Sequence, residues 1–315
     1  MSRRGLILFG VMCVVWGVPY LMIKVAVEHL TPVVVVEART LIGAAVLLPL
    51  AIREGSLTAL LPAWKPLAVY TVAELAIPWY LLSSAERQLP SSLTGLLVAT
   101  VPLITAGLAL TVGGFERTTG HGLLGLLIGL AGVGLLLGFD VSSADLPSVG
   151  KVLLVALGYS IGPLVVSRHL GHLSSLALAA VSLALVAIAY LPLALTQLPP
   201  STPPASAIAS LLGLGLISTA LAFVVFFELL REVAPTKATL ITYFNPVVAV
   251  ILGVAVLGET FGPSAAAGFA LILAGSWMAT RPARPAGDTA VTPRDGTGDT
   301  PTGRTPTGRT PTGDT

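Results

Sequence analysis

The side chains able to do chemistry in this 315-residue chain are few, and most of them interrupt long apolar runs. Glu74 stands in the middle of LAVYTVAELAIPWYLL, and Tyr70, Glu74 and Pro78 recur every four residues, which puts them on one helix face. Arg39 lies about two turns past Pro32 in another apolar run, with Glu37 nearer the start of that run. Counting helical rise, Arg39 and Glu74 come to rest within roughly 5 Å of each other in depth. Opposite charges at one depth can pair, or jointly hold a zwitterion, and a carboxyl there is also a candidate to carry protons as coupling ions. Trp16, Tyr20 and Lys24 make a second stripe at four-residue spacing, Lys24 close enough to the end of its run to reach water. Tyr243 and Asn245 stand beside Pro246. Aromatic faces and an amide at such depth suit binding, not bond breaking. The residues expected to bind substrate are therefore Trp16, Tyr20, Arg39, Glu74, Tyr243 and Asn245.

Two prolines belong with them. Pro102 and Pro246 each fall in mid-run, where a proline has no N–H to donate and clashes with the carbonyl four residues back. In hydrocarbon the freed carbonyl (Val98 or Thr242) needs a partner from protein, water or ligand. Both prolines are expected to be helix breaks or hinges beside a binding cavity. Asn245 could bond such a carbonyl instead of a ligand.

Catalytic readings lack their residues. There is no G-x-S-x-G, no H-E-x-x-H, no phosphate-binding glycine loop and no paired aspartate motif. His29, His121, His169 and His172 all sit at the ends of apolar runs, as interfacial polar groups do. Cys13 is the one cysteine, so neither an internal disulfide nor a thiol cluster can form. No cofactor and no metal is expected. The net charge of +2 is nearly balanced and speaks against nucleic acid as a partner.

The elements that must position these groups are transmembrane helices. Hydrophobic residues make up 54% of the chain and charged ones 10%, with a mean hydropathy of +0.90; a soluble chain carries about a quarter charged residues. Spans need about 20 apolar residues. They fall at roughly 5–27, 32–52, 66–85, 91–113, 121–139, 150–168, 174–196, 207–230, 235–257 and 262–280. The first run follows two arginines but has no small-residue cleavage site, which makes it a helix and not a signal peptide. Arg3, Arg4, Arg53, Lys65, Arg117, Arg168, Arg231, Lys237, Arg281 and Arg284 fall on one side, whereas only Arg87 and Lys151 fall on the other. That bias predicts a multi-pass protein of the plasma or inner membrane with both termini cytoplasmic. Beyond Thr280 a polar TPTGR repeat has no apolar face, so residues 281–315 are expected to be a disordered tail.

The spans repeat. At an offset of 143 residues Trp16 meets Tyr159, Pro49 meets Pro192, Glu116 meets Glu259, Gly125 meets Gly268 and Gly132 meets Gly275. Pro90 with Pro235 and Pro102 with Pro246 pair at nearly the same offset. Five spans separate equivalent points, and an odd number of crossings inverts the second copy. The fold expected is an all-α membrane protein of ten helices in two inverted five-helix repeats, 1–139 and 140–280, an architecture typical of alternating-access carriers. Glu116 and Glu259 read as helix-terminal structural groups. The glycine rows Gly122-Gly125-Gly129-Gly132 and Gly268-Gly275 read as surfaces for close helix packing or for a homodimer.

The stretch VVWGVPYLMIKVAVEHLTPVVVVEARTLIGAAVLL resembles the first two spans of the EamA family in the drug/metabolite transporter superfamily. Trp16-Gly17, Pro32 and Arg39 match that pattern, as do Pro102, Pro246 and the Gly258-Glu259 ending, while Phe115 stands where the family has Gly. In the second half Tyr159 replaces Trp, Ser175 replaces Pro and Ser182 replaces Arg, so a site built on Arg39 would be asymmetric. The resemblance covers 5–280 and implies two five-helix halves around a central cavity that move small metabolites, often outward. The function expected is a secondary transporter, an exporter of a small organic metabolite or amino-acid-like solute. The alternatives are an intramembrane enzyme acting on a lipid-linked substrate, which would need catalytic carboxylates or histidines clustered at one membrane face, and a scaffold without turnover.

Overall fold

The computed structural model describes residues 2–111, 120–140, 142, 145–233, 238 and 240–280, with backbone only at 109–111, 120 and 138–140. Ten helical segments occupy them: α1 (Arg3–Val27), α2 (Pro32–Glu54), α3 (Leu57–Ala85), α4 (Ser91–Val98 and Val101–Thr111), α5 (Gly120–Asp140), α6 (Leu146–Leu170), α7 (Ser175–Leu195), α8 (Ala205–Glu232), α9 (Ile241–Leu257) and α10 (Pro263–Ala279). Seven are long and apolar enough to cross a membrane; α9, α10 and the stretch His121–Leu137 of α5 are apolar and shorter. The tail expected beyond 281, Glu116, and the start of the ninth span at Pro235 lie outside the described residues.

Local sequence explains the ends. Thr31 caps α2 by accepting from the Val34 N–H at 3.4 Å, Pro32 supplies the first-turn residue that needs no donor, and Gly55 takes φ 71° just past the end. Ser174 caps α7 through the Ala177 N–H, and Gly258, at φ 67°, ends α9. Two boundaries differ from the sequence expectation. α3 starts at Leu57 with a 3₁₀ turn through Ala63, and Lys65, over the neighbouring Trp64 ring, does not end the helix. α6 starts at Leu146, because Pro147 sits in the first turn, where its missing N–H costs nothing.

The two midspan prolines behave differently. α4 is interrupted at Ala99 and Thr100, and Pro102 is the second residue of the restarted helix. The Thr100 hydroxyl donates back to the Leu97 carbonyl at 2.6 Å, and Ser160 of α6 donates to Val101 O at 3.2 Å. α9 instead runs without interruption through Pro246. Interruptions of another kind occur elsewhere. Thr71–Ala76 in α3, Val166–Leu170 in α6 and Gly213–Leu221 in α8 are π-helical. The first and third occupy matching positions at the 143-residue offset.

In packing, α5 lies along α10, α2 along α7 and α4 along α9, while α3 packs on α6 as α1 packs on α8. α1 also meets α9 as α6 meets α4, and α2 meets α8 as α7 meets α3. Exchanging each helix for the one five places along leaves this set of main pairings unchanged. The glycine rows are used inside one chain: a Cβ on Gly132 would strike Gly268 O at 2.7 Å, and one on Gly125 would strike Gly275 O at 2.7 Å. Backbones that close leave these rows no face for a second copy. Leu127, Leu130 and Ile188, 57–69% exposed, face outward as lipid-facing residues do.

Candidate functional site

Arg39 is the cation deepest in the bundle. It is 7% exposed, and its guanidinium carbon sits 3.6 Å from the centre of the Trp79 ring on α3. Its Nε donates to the Thr219 hydroxyl of α8 at 2.8 Å. Stacking on an aromatic face and one charge-assisted bond together hold the charge away from water. Thr219 can come this near because Gly43, one turn along from Arg39, presents no Cβ to it. No carboxylate pairs with Arg39 among the described residues, and its Nη groups make no hydrogen bond there. The planar fork that matches a carboxylate is thus left open.

Glu74 rides on the π-helical turn of α3, and one carboxylate oxygen is buried without a partner. Its seat is Gly162 of α6, where a Cβ would overlap the carboxylate; Gly158, one turn earlier, lets the Ala73 carbonyl approach in the same way. π turns recur at functional sites because they re-aim one side chain without ending the helix. Glu74 and Arg39 do not pair. They share a neighbour instead: Tyr159 of α6 lies in electrostatic reach of both, and of Tyr20 on α1. Tyr20 is buried, with its ring lying over Gly95 of α4.

The seam continues to the end of the bundle opposite the N-terminus. Glu86 is fully buried with neither carboxylate oxygen bonded. Lys24 does not run out to water as expected; its ammonium donates to the carbonyls of Glu86 and Leu89 at 2.8 and 3.0 Å, satisfying the C-terminal end of α3. Glu259 accepts from the Ser91 and Ser92 N–H groups at 2.6 and 2.9 Å, a carboxylate on the N-terminus of α4. Burial pushes that carboxyl up, but the bonds from Ser92 and Ser91 outweigh it and hold it below the usual carboxylate range.

Of the residues expected to bind substrate, Tyr20, Arg39 and Glu74 all lie within electrostatic reach of Tyr159, with no hydrogen bond joining the three among the described residues. The other three stand apart. Trp16 packs on Phe226 of α8 with ring centres 4.9 Å apart. The Tyr243 hydroxyl meets the Thr280 hydroxyl at 3.3 Å, at the end of the bundle that holds the N-terminus. Asn245, with its amide turned to suit its neighbours, donates to Ile241 O and Cys13 O at 3.1 and 3.2 Å and so ties α9 to α1. Sequence reasoning passed over Trp79, Thr219 and Glu86. Trp79 follows Pro78 in a run where an aromatic reads as packing, Thr219 is one of two adjacent hydroxyls in LISTAL, and Glu86 beside Arg87 reads as loop charge.

Apolar helices of both halves enclose a guanidinium without an ion-pair partner among the described residues and unbonded carboxylate oxygens, all from the first half, as befits a membrane transport protein. The model of the EamA-like transporter family matches the chain twice, at residues 3–138 and 147–281. The chain belongs to that family, within the drug/metabolite transporter superfamily. It is 30% identical over 270 residues to the uncharacterized inner membrane transporter YedA of Escherichia coli (strain K12), covering 82% of this chain and 85% of that protein. It is 26% identical over 285 residues to the uncharacterized transporter YoaV of Bacillus subtilis (strain 168), covering 87% and 96%. A solved crystal structure shares the fold with a TM-score of 0.64 at 21% identity, over 89% of this chain and 98% of that one.

Proposed function

We propose that the protein is an alternating-access secondary transporter that exports a small organic metabolite or amino-acid-like solute. Its ten helices form two inverted five-helix halves, 1–139 and 140–280, and both termini are cytoplasmic. The inverted reading draws support from the set of main helix pairings, which survives exchange of the two halves, and from the family's two matches. The observation that carries the functional reading is Arg39. A buried guanidinium whose Nη edge has no protein partner is held by Thr219 of the second half and Trp79 of the first. A charge in that position is costly, and a carboxylate group on the solute would offset the cost. Glu74 supplies the opposite sign on the next helix, α3, for an amino group or for protons as coupling ions. Tyr20 and Tyr159 wall the space between, while Trp16, Tyr243 and Asn245 stand on the route toward the cytoplasm. The position equivalent to Arg39 also meets the matching π turn: Ser182 of α7 accepts from Thr71 of α3 at 2.9 Å, although Thr71 is not itself the equivalent of Thr219. Each half thereby anchors its second helix on a π turn of the other, and rocking the halves would open and close the contact around the solute.

The experiment is a metabolite screen comparing export from cells that overexpress the protein with export from deletion cells. One or more small solutes bearing a carboxylate should leave the overexpressing cells faster. Uniform rates for every solute would remove transport from the reading and return the enzyme and scaffold alternatives.

A further inference from the structure

The two cations that the sequence places at the end opposite the N-terminus, Arg87 and Lys151, converge on one groove. The groove, about 460 Å³, lies between the start of α2 and the ends of α3 and α7 and is lined by Thr31, Tyr80, Ser84, Arg87, Tyr190 and Gln197. Lys151 reaches it from α6, donating to the Ser84 hydroxyl at 2.9 Å. Arg87 is exposed and has no hydrogen bond or ion pair among the described residues. Deeper in, the rings of Tyr80 and Tyr190 lie side by side, tilted at 42° with centres 6.4 Å apart, and the Tyr190 hydroxyl donates to Ala76 O at 2.9 Å, which fixes that ring. Below the tyrosines the outward surfaces of α3 and α7 carry Ile77 and Ile188, 51% and 69% exposed.

Read along the membrane normal, the order is cation, hydroxyl and amide, aromatic pair, then aliphatic surface. A phospholipid presents the complementary order of phosphate, glycerol and ester groups, then acyl chain. We propose that this groove binds a phospholipid with an anionic headgroup from the leaflet opposite the N-terminus. Arg87 and Lys151 attract the phosphate, Ser84, Thr31 and Gln197 offer hydrogen bonds to the glycerol and ester groups, and one chain passes the tyrosine pair. A soluble phosphate ester would have no use for the aliphatic track. The tyrosines sit one to two turns inside the helix ends, the depth at which aromatic belts meet headgroups.

Native mass spectrometry of the full-length protein, offered phosphatidylglycerol and phosphatidylcholine in equal amounts, tests the site. Each cation near an anionic headgroup contributes roughly fivefold. Phosphatidylglycerol adducts should therefore exceed phosphatidylcholine adducts by at least that factor, and Arg87→Gln with Lys151→Gln should level the two. Ala189→Phe, which fills the groove and keeps both cations, should lower both lipids, and excess glycerol 3-phosphate should displace neither. Equal binding of the two lipids by the unaltered protein, or an unchanged preference in both variants, overturns the proposal. Displacement by glycerol 3-phosphate also overturns it and makes the groove a site for a soluble phosphate ester.

Discussion

At the scale of single residues, the interior is organised by charges that the chain leaves without ion-pair partners. Glu74 is seated in a space made by Gly162, and a neutral amide fits the same space. If protons drive the solute, Glu74→Gln should abolish flux driven by a pH gradient while leaving membrane insertion and unfolding temperature as they were. Gradient-driven flux at the original rate in that variant would return Glu74 to a structural role. Glu259 gives a prediction in pH. Its carboxyl is held below the usual carboxylate range in the folded protein, so its contribution to stability is fully present above the unfolded pKa and is lost as pH falls through the folded one. Glu259→Gln should cost about 0.5–1 kcal/mol at pH 7, the worth of a charge on a helix N-terminus. Thermal unfolding in detergent should show the gap between variant and parent closing below about pH 4. A gap of constant size down to pH 3 would mean that the charge contributes nothing.

At the scale of elements, close approach at glycine sets which helices move together. α5 and α10 touch backbone to backbone, and a Cβ on Gly132 would meet Gly268 O and Ile272 N at 2.7 and 2.8 Å. Neither atom can yield without moving a helix. Gly132→Ala should therefore destabilise the protein by about 1–3 kcal/mol, whereas Gly134→Ala, with nothing within 4 Å of its Cβ, should be neutral or mildly stabilising. Equal unfolding temperatures for the two variants would refute the tight α5–α10 contact. Elements of this kind are legible in sequence, because apolar length, capping residues and proline placement are local: α7 falls within one residue of the span expected at each end. The π turns are not legible. Their sequences, TVAELA, VSRHL and GLGLISTAL, share no pattern that marks an extra residue per turn. The candidate site divides the same way. Arg39 and Tyr20 stand out as polar groups at membrane depth, but Trp79 and Thr219 carry no mark of their own and are found only through their contacts with Arg39, at 3.6 Å within the first half and 2.8 Å across to the second. Asn245 and Tyr243 were equally conspicuous in sequence, and their polarity is used to tie helices together.

At the scale of the whole molecule, buried polar groups run from Glu74 past Tyr159 and Arg39 to Glu86, and the alternating access proposed above would open that seam to each side in turn. The orientation of that seam is tested by cysteine labelling, which should find the loop at 197–205 external and the segment beyond Arg281 cytoplasmic. Labelling of the 197–205 loop from the inside alone would reverse the orientation and undo the inverted pairing. The most direct measurement of the central claim, that a solute carboxylate is held by Arg39 between the halves, is uptake of the screened solute into proteoliposomes carrying the parent protein, Arg39→Lys or Arg39→Gln. Lysine keeps the charge but loses the planar fork and the stacking on Trp79. Arg39→Gln is expected to reduce uptake at least a hundredfold, about 2.7 kcal/mol, and Arg39→Lys to fall between the two, each with the parent's unfolding temperature. Uptake by Arg39→Gln at the parent rate, from equal amounts of folded protein, would contradict the claim and place the solute elsewhere in the bundle.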